Sequence, residues 1–561
     1  MRRWLPDLAV VGWYLALTGI YLGPMLQGLD AVVPHSIQDT GLQATVLSDV
    51  SERLLHLDFT HLYDGSFFYP AHLTLAMSDA GIGLQVIALP LHLLGVDALL
   101  VSNLLIVASF PVTALAGDAL GRYVTRARVG GLVVGTAFAF AAYRMEHIVH
   151  LNLLQSWTIP LAFLGLEMTL RERTRRGPIL WAFALVAAGS TALHYLLMLA
   201  IVQPIYLLVR YLLTSDRRRM WAHVRRLVPP GLVAAAVIAL LLVPYLLLRL
   251  AGYERSLKDT FDFSARLADY LLPTADSLAL HGLYLLQPLK GGFAERQLFP
   301  GIVVIGFAAL GLLVAFLRRD APRLRRMAPW LVIGVVAFVL SLGPYLWPDV
   351  SEQPARVTNL IALPYSFLEK PLFLEALRSP ARFGVIVLLV VAVAAAMALV
   401  RLLQHVPRGV PRSVAIGVLA LAMAVEYSVS IPVVPVAWGP TLPPVYTWLR
   451  DQPPGPVVEF PAFGEQLSYY MLASTIDGHP RLDGWSGFTP RALEPIVVLV
   501  TARTLLEWLG SAHRLGAVYV VVHGDAINSS VLAAVHAEAD GGTLVAVVTF
   551  GDDEVYRFRS P

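Results

Sequence analysis

The stretch "IGLQVIALPLHLLG", residues 82–95, decides how the rest of this chain is threaded. It is apolar, yet as a helix it reaches only about 21 Å, against a bilayer core about 30 Å thick. It also contains Pro90, which removes a donor from a helix interior. If the stretch crosses a membrane, every basic block after it changes side. If it is a half-helix or an interfacial piece, those blocks all fall on one side.

The flanking sequence sets the context. Of 561 residues, 57% are hydrophobic and only 14% are charged, and the mean hydropathy is +0.65. Soluble domains carry about 25% charged residues, so this chain is solvated largely by lipid. Apolar runs long enough to cross, or nearly so, lie near 8–28, 99–119, 129–143, 153–170, 179–191, 193–213, 228–250, 300–317, 328–346, 383–401 and 413–433. Arginines punctuate them in blocks at 122–128, 171–176, 217–226, 318–326 and 401–412, with Arg2 and Arg3 at the start. The positive-inside rule places all of these in the cytoplasm if 82–95 does not span. The expected architecture is therefore mainly α: a polytopic helical bundle of about eleven spans covering residues 1–437. A small α/β domain follows at 438–561, on the extracytoplasmic face.

That domain is read from "GPVVEFP", "AVYVVVH", "TLVAVVTF" and "EVYRF" as short strands, with a helix inside 490–516. The chain has no cysteine, which excludes disulfides, thiolate nucleophiles and iron–sulfur clusters. Its basic blocks alternate with apolar runs, so they argue for a membrane and not for nucleic acid. Lysine occurs only at 258, 290 and 370, a usage that fits a GC-rich bacterial genome and a bacterial inner-membrane location. Met-Arg-Arg-Trp leads into a full-length run, which reads as a retained anchor.

On this threading the outer side holds 29–81, 251–299, 347–382 and everything after 434, and function is expected there. The first of these segments is acidic, with Asp30, Asp39, Asp49, Glu52, Asp58, Asp64 and Asp79. Residues 40–57 repeat apolar side chains at helical spacing, which predicts an amphipathic helix on the membrane surface, begun by Asp39 or Thr40. Asp39 is then either a helix cap or a base at the outer interface. Asp79 returns the loop to the same interface, whereas Asp64 and His72 fit turn chemistry.

Further candidates cluster at span ends. In "YRMEHIVHLNLLQSWTIP" (143–160), Glu146, His147 and His150 are spaced to hold one ion or one polar headgroup, with Asn152 nearby. The alternative is an interfacial hairpin anchored by its aromatic side chains. In "FLEALRSPARFGVIVLL" (373–389), Ser379 reads as a helix cap and Pro380 as the first helical residue. Arg378 and Arg382 stand beside that helix start as a phosphate site, or else reach to lipid headgroups. "GGFAERQLFPG" (291–301) repeats the design with Glu295 and Arg296 before a Pro-Gly helix start. His194 lies near the outer end of a run, where it is a site group or a helix–helix bond. In "RLDGWSGFTP" (481–490), Trp485 and Phe488 beside Asp483 suit sugar stacking or a turn over a core.

Taken together, this layout resembles the GT-C superfamily of membrane glycosyltransferases. That superfamily includes protein O-mannosyltransferases, aminoarabinose transferases and oligosaccharyltransferase catalytic subunits. "LYDGSFFYP", "YRMEHIVHLNLL", "ERQLFPG" and "RSPARFG" look like stretches of bacterial GT-C-type membrane proteins. The likeness covers the spans well and residues 438–561 loosely. It implies a hexosyl- or pentosyltransferase of inverting type, drawing on a polyprenyl-phosphate-linked sugar and acting on a lipid or glycan acceptor. It implies Asp39 as the catalytic base with Asp79 as a second carboxylate. Arg378 and Arg382 would hold the donor phosphate, and Arg296, Glu295, His147, His150, Asn152, His194 and Trp485 would join them in binding substrate. A clear Asp-Glu pair in the first loop and a WWD-type signature are both missing. Metal dependence thus stays open, with Asp39, Glu146 and His147 the candidates for holding Mg or Mn. A transporter or flippase of lipid-linked glycans, and a non-catalytic envelope assembly protein, are the competing readings. The first predicts mid-span charges and inverted repeats, whereas here most charge lies at span ends.

Overall fold

A computed structural model of the chain describes residues 5–254, 257–285, 294–346, 361–368, 377–407, 409–497 and 500–559. Arg2, Arg3, Arg408, Lys290 and Lys370 lie outside the described residues. The chain is mainly helical. The deciding stretch at 82–95 forms a short 3-10 turn, Ile82–Leu84, then a nine-residue helix, Gln85–Leu93, with Pro90 inside. Nine residues rise about 14 Å, too little to cross a bilayer core.

Each of the eleven apolar runs contains a helix. Six helices are long and apolar enough to cross by length and composition: Ala98–Thr125, Leu153–Arg171, Leu193–Leu213, Arg217–Leu250, Ala321–Ser341 and Pro380–His405. The other five runs form shorter helices: Leu5–Tyr21, Arg128–Ala139, Arg176–Thr191, Ile302–Leu317 and Val410–Glu426. Among the described residues, length and hydropathy thus identify six candidate crossings of the eleven expected.

Small residues let the helices Ala98–Thr125 and Arg128–Ala139 meet closely. A Cβ on Gly117 would stand 3.1 Å from the Gly135 Cα, so no larger side chain fits there. At one end of this pair Arg122 bonds both Asp118 and Asp7, and Arg128 reaches the same Asp7 at 3.1 Å. A terminal carboxylate shared by two arginines holds the first helix against the second and third.

The first long loop begins as a strand, Val32–Pro34, antiparallel to Val433–Pro435 just after the helix Val410–Glu426. The next helix runs Ile37–Leu55 and is capped by Ser36, whose hydroxyl accepts from the Gln38 N–H at 3.2 Å. Neither Asp39 nor Thr40 is the cap. The expectation of a membrane-surface helix is corrected as well. The apolar face is covered by protein: Leu42, Val46 and Val50 join one core with Phe67, Phe68, Phe460, Met471 and Trp508. Its cover is the helix Glu465–Asp477, so close that a Cβ on Gly41 would meet the Ser468 carbonyl oxygen at 2.9 Å.

The C-terminal residues carry a four-stranded mixed sheet. Val457–Phe460 pairs in parallel with Tyr519–His523, which pairs antiparallel with Asp553–Phe558 and that with Leu544–Phe550. The expected helix inside 490–516 is Leu505–Arg514. Beneath the sheet, the fully buried Arg481 bonds Asp477 and Glu459, and His523 sits between Glu459 at 3.0 Å and Asp553 at 2.8 Å. The first loop is stitched to this region. The Arg481 N–H donates to the Ser66 carbonyl at 2.7 Å, and the Tyr69 N–H donates to the Arg481 carbonyl at 2.9 Å. Inside that loop Asp49 accepts from the Ser66 N–H at 2.8 Å, and Asp64 accepts from the Leu73 N–H at 2.7 Å and bonds His72 at 2.8 Å. Those carboxylates shape the loop and leave Asp39 and Asp79 to other roles.

Candidate active site

A tight turn after the helix Ala142–Glu146 supplies three site groups, and one buried arginine sets its shape. Arg144 is 2% exposed, and its guanidinium lies 4.4 Å over the Phe110 ring. It donates to the carbonyls of Ala139 at 2.6 Å, Ser109 at 3.2 Å and Leu154 at 2.9 Å, and to the Ser109 hydroxyl at 3.0 Å. A planar fork with several donors can tie three backbone segments together, which a lysine cannot do equally. The turn so fixed presents His147, His150 and Asn152. The Arg144 clamp was not foreseen from the sequence, whose only signal was an arginine next to an apolar run.

His150 turns to the first-loop helix, where its Nε2 lies 3.4 Å from the Asp39 carboxylate. The other Asp39 oxygen faces the Trp485 indole N–H at 3.4 Å, a contact that closes across 446 residues of sequence. Burial raises the Asp39 pKa, but the bonds from His150 and Trp485 and the charge of Arg378 outweigh it. The carboxyl is held below the ordinary carboxylate range. About a third of this side chain remains exposed. An ionised, reachable carboxylate is what a general base requires.

Asn152 turns the other way and donates to Asp79 at 2.6 Å. The Leu193 N–H and the His194 ring also approach Asp79, at 3.5 and 3.7 Å. Burial pushes the Asp79 carboxyl up, against the pull of Asn152 and of the more distant Arg382. Asp39 and Asp79, neighbours of one turn, therefore differ in environment: one reachable and held ionised, the other buried and pushed toward its neutral form.

Between them lies an ion network. The short 3-10 turn Ala294–Arg296 places Glu295 against Arg382, which bonds it through Nε at 3.1 and 3.0 Å and through Nη2. His147 completes the set, with Nε2 at 3.1 Å from Glu295 and Nδ1 at 2.7 Å from the Tyr143 carbonyl. Burial alone would raise the Glu295 pKa, but Arg382 and His147 hold it well below the carboxylate range. The Arg382 guanidinium is thus positioned by the Glu295 carboxylate.

Arg378 sits at φ +32°, a backbone setting uncommon for a side-chain-bearing residue, with its guanidinium 4.7 Å over the Phe263 ring. Among the described residues its Nε is buried without a hydrogen-bond partner, as are His150 Nδ1, His194 Nε2 and Asn152 Oδ1. Unsatisfied buried polar atoms cost about 1–3 kcal/mol each, so four around one turn mark a place built to receive polar groups.

Three expectations are redistributed. Arg296 faces away from this cluster and forms a bidentate pair with Asp269, at 3.0 and 3.1 Å. The helix start that follows it accepts a carboxylate from within the protein, since the Ile302 and Val303 N–H groups both donate to Glu426. Ser379 stands at the expected cap position, but its hydroxyl donates to the Phe263 carbonyl at 3.3 Å instead of capping, and the first turn Pro380–Phe383 is 3-10. As for the metal candidates, Glu146 accepts from Thr274 and lies apart from Asp39 and His147. Among the described residues no three His, Asp or Glu side chains are grouped to hold a metal ion. Asp39, Asp79, Glu295, His147, His150, Asn152, His194, Arg378, Arg382 and Trp485 are gathered into one region by seven separate segments.

Comparisons with known proteins give the fold a setting. No curated protein matches the chain by sequence. The structure is similar to the arabinofuranosyltransferase AftD from Mycobacteria, with a TM-score of 0.58 and 15% identity, covering 100% of this chain and 40% of that one. The chain thus spans well under half the length of AftD. Weaker likenesses are to the archaeal oligosaccharyltransferase AglB from Archaeoglobus fulgidus (TM-score 0.47, 12% identity, 92% and 69% covered) and to ArnT from Cupriavidus metallidurans (0.39, 12%, 98% and 98%). A family sequence model described as a domain of unknown function, DUF6311, matches residues 57–427. The chain belongs to the DUF6311 family, and its fold is similar to that of the arabinofuranosyltransferase AftD.

Proposed function

We propose that this protein is an inverting membrane glycosyltransferase that moves a sugar from a polyprenyl-phosphate-linked donor to an acceptor hydroxyl at the extracytoplasmic face. The observation that carries the reading is Asp39: ionised, one-third exposed, and fixed by His150 and Trp485 within reach of the Arg378 charge. The acceptor oxygen forms a bond to the anomeric carbon while the bond from that carbon to the phosphate oxygen breaks. The acceptor proton passes to Asp39, and the electron pair leaves with the lipid phosphate. The Arg378 and Arg382 guanidiniums are the donors assigned to that phosphate, and they stabilise charge as it develops there. His194 Nε2, Asn152 Oδ1 and His150 Nδ1 are the polar atoms available to the sugar. On this reading a bacterial inner membrane supplies the donor, and the C-terminal sheet region lies on the outer side with the site.

The test is transfer of radiolabelled sugar in proteoliposomes, comparing the parent chain with Asp39→Asn. Loss of the base is expected to reduce the rate about 10²–10⁴-fold, with the variant's unfolding midpoint and donor binding unchanged. Transfer within a few-fold of the parent would remove Asp39 from the reaction. Absence of transfer from every polyprenyl-phosphate sugar by the parent would overturn the donor class.

A further inference from the structure

We infer that the acceptor is a neutral glycan, received on the loop 484–490 with Trp485 as its anchor and Phe488 as a second ring. This rests on the glycosyltransferase reading above and names the substrate on the acceptor side of the same site. Three observations converge on that loop.

First, the Trp485 indole N–H points at the Asp39 oxygen that does not face His150, so the ring borders the base. Second, the loop is held as firmly as the base itself. The Trp485 backbone N–H is fixed 3.0 Å from the Met471 sulfur, on the helix that covers the Asp39 helix. Gly484 is pressed against Phe67 and Phe68, where a Cβ would come within 3.1 Å of the Phe67 ring. At the far end Phe488 meets Tyr253 edge-on, with centroids 5.7 Å apart, and Arg491 reaches the Gly252 carbonyl at 3.5 Å. The loop therefore bridges from the helix that covers the base to the end of the helix Val228–Leu250.

Third, the chemistry of the loop is selective. Residues 484–490 read Gly-Trp-Ser-Gly-Phe-Thr-Pro and contain no ionisable side chain. Residues 485–489 are partly exposed, and the Ser486 hydroxyl is a buried polar atom without a partner among the described residues. Two aromatic rings with a hydroxyl between them match the apolar faces and hydroxyl edges of a sugar ring. An acceptor bearing a phosphate or an ammonium group would meet no countercharge on these seven residues.

The test is binding of neutral tetrasaccharides (mannotetraose, maltotetraose and xylotetraose) to the full-length protein in nanodiscs, read by saturation-transfer NMR and titration. At least one is expected to bind the parent. Phe488→Ala and Trp485→Ala are each expected to weaken it about tenfold or more, as loss of a packed aromatic anchor does. Trp485→Phe keeps a ring and should weaken binding less; this variant, and the separate half-buried position Phe488, guard against a misfolded Trp485→Ala. Binding of the polyprenyl-phosphate donor should stay within twofold in Phe488→Ala. Failure of all three tetrasaccharides to bind, or equal binding by the parent and the variants, overturns the inference. Tetrasaccharide binding without transfer from any donor would overturn the enzyme reading and leave the glycan platform standing. Transfer of label to protein or lipid, without tetrasaccharide binding, would do the reverse.

Discussion

Replacing Glu295 by glutamine removes one charge from the most tightly drawn part of the site while keeping its shape. Glu295 and Arg382 are 9% and 15% exposed in their side chains, and His147 beside them is fully buried. The amide can still accept one hydrogen bond, but the guanidinium loses its counterion in a place that water scarcely reaches. Breaking a buried pair from one side costs about 3–5 kcal/mol, and the retained hydrogen bond puts this case at about 3 kcal/mol. For a cooperative unit of 150–250 residues that corresponds to a fall of about 6–12 °C in unfolding midpoint. The midpoint would be read by tryptophan fluorescence in detergent at one scan rate, the chain having 11 Trp. Because Arg382 and His147 hold the Glu295 carboxyl well below the usual range, the pair's contribution is present above the unfolded-state pKa. It is lost only as pH falls through the depressed value, so the difference between parent and variant should be the same at pH 8 and pH 6. Saturating polyprenyl phosphate should recover more of the midpoint in Glu295→Gln than in the parent, since the freed guanidinium gains a new anion. The double change Glu295→Gln with Arg382→Met should cost less than the two singles added together. A midpoint within about 1 °C of the parent, or strict additivity in the double variant, would refute the argument that the pair is a coupled buried unit.

Other expectations follow from the same geometry. The His150 bond helps hold Asp39 low, so His150→Ala should raise the Asp39 pKa and move the acid limb of the kcat/KM profile to higher pH; an unmoved limb would separate the two groups. Burial, with the Glu459 charge nearby, pushes the Asp483 carboxyl up to about 7. A carboxyl raised on folding makes the folded state bind more protons than the unfolded one between the two pKa values, so stability falls as pH rises through that window. Asp483→Asn should therefore raise the unfolding midpoint more at pH 8 than at pH 5, and equal shifts would contradict the assignment. Arg144→Met leaves the Ala139, Ser109 and Leu154 carbonyls without their donor and should cost about 3 kcal/mol or more. Arg144→Lys should recover only part of that in the same unfolding assay.

Much of this protein is legible in its sequence because the governing signals are local. Apolar runs and their lengths, the proline in a run too short to cross, and the arginines between runs all depend on residues near one another. They yielded the positions of the helices and the ends at which Asp39, Asp79, His147, His150, His194, Glu295 and Arg382 stand. Length did not establish the number of crossings, since five of the runs fold into helices shorter than a bilayer is thick. Partners were not legible at all. Glu295 and Arg296 are adjacent, yet one turns to Arg382 and the other to Asp269, and nothing in their spacing tells them apart. Glu146 and His147 separate in the same way, one to Thr274 and the other to Glu295. The first-loop helix displays an amphipathic pattern that fits a membrane surface equally well; only the packing of Glu465–Asp477 shows that protein covers it. Asp39 illustrates the division. Its place on a helix near the outer end of the first run follows from periodicity, but its ionised state depends on a histidine and a tryptophan brought from distant elements. A carboxylate's charge is set by whichever dipoles and charges lie within a few ångströms of it, and tertiary packing alone decides which those are.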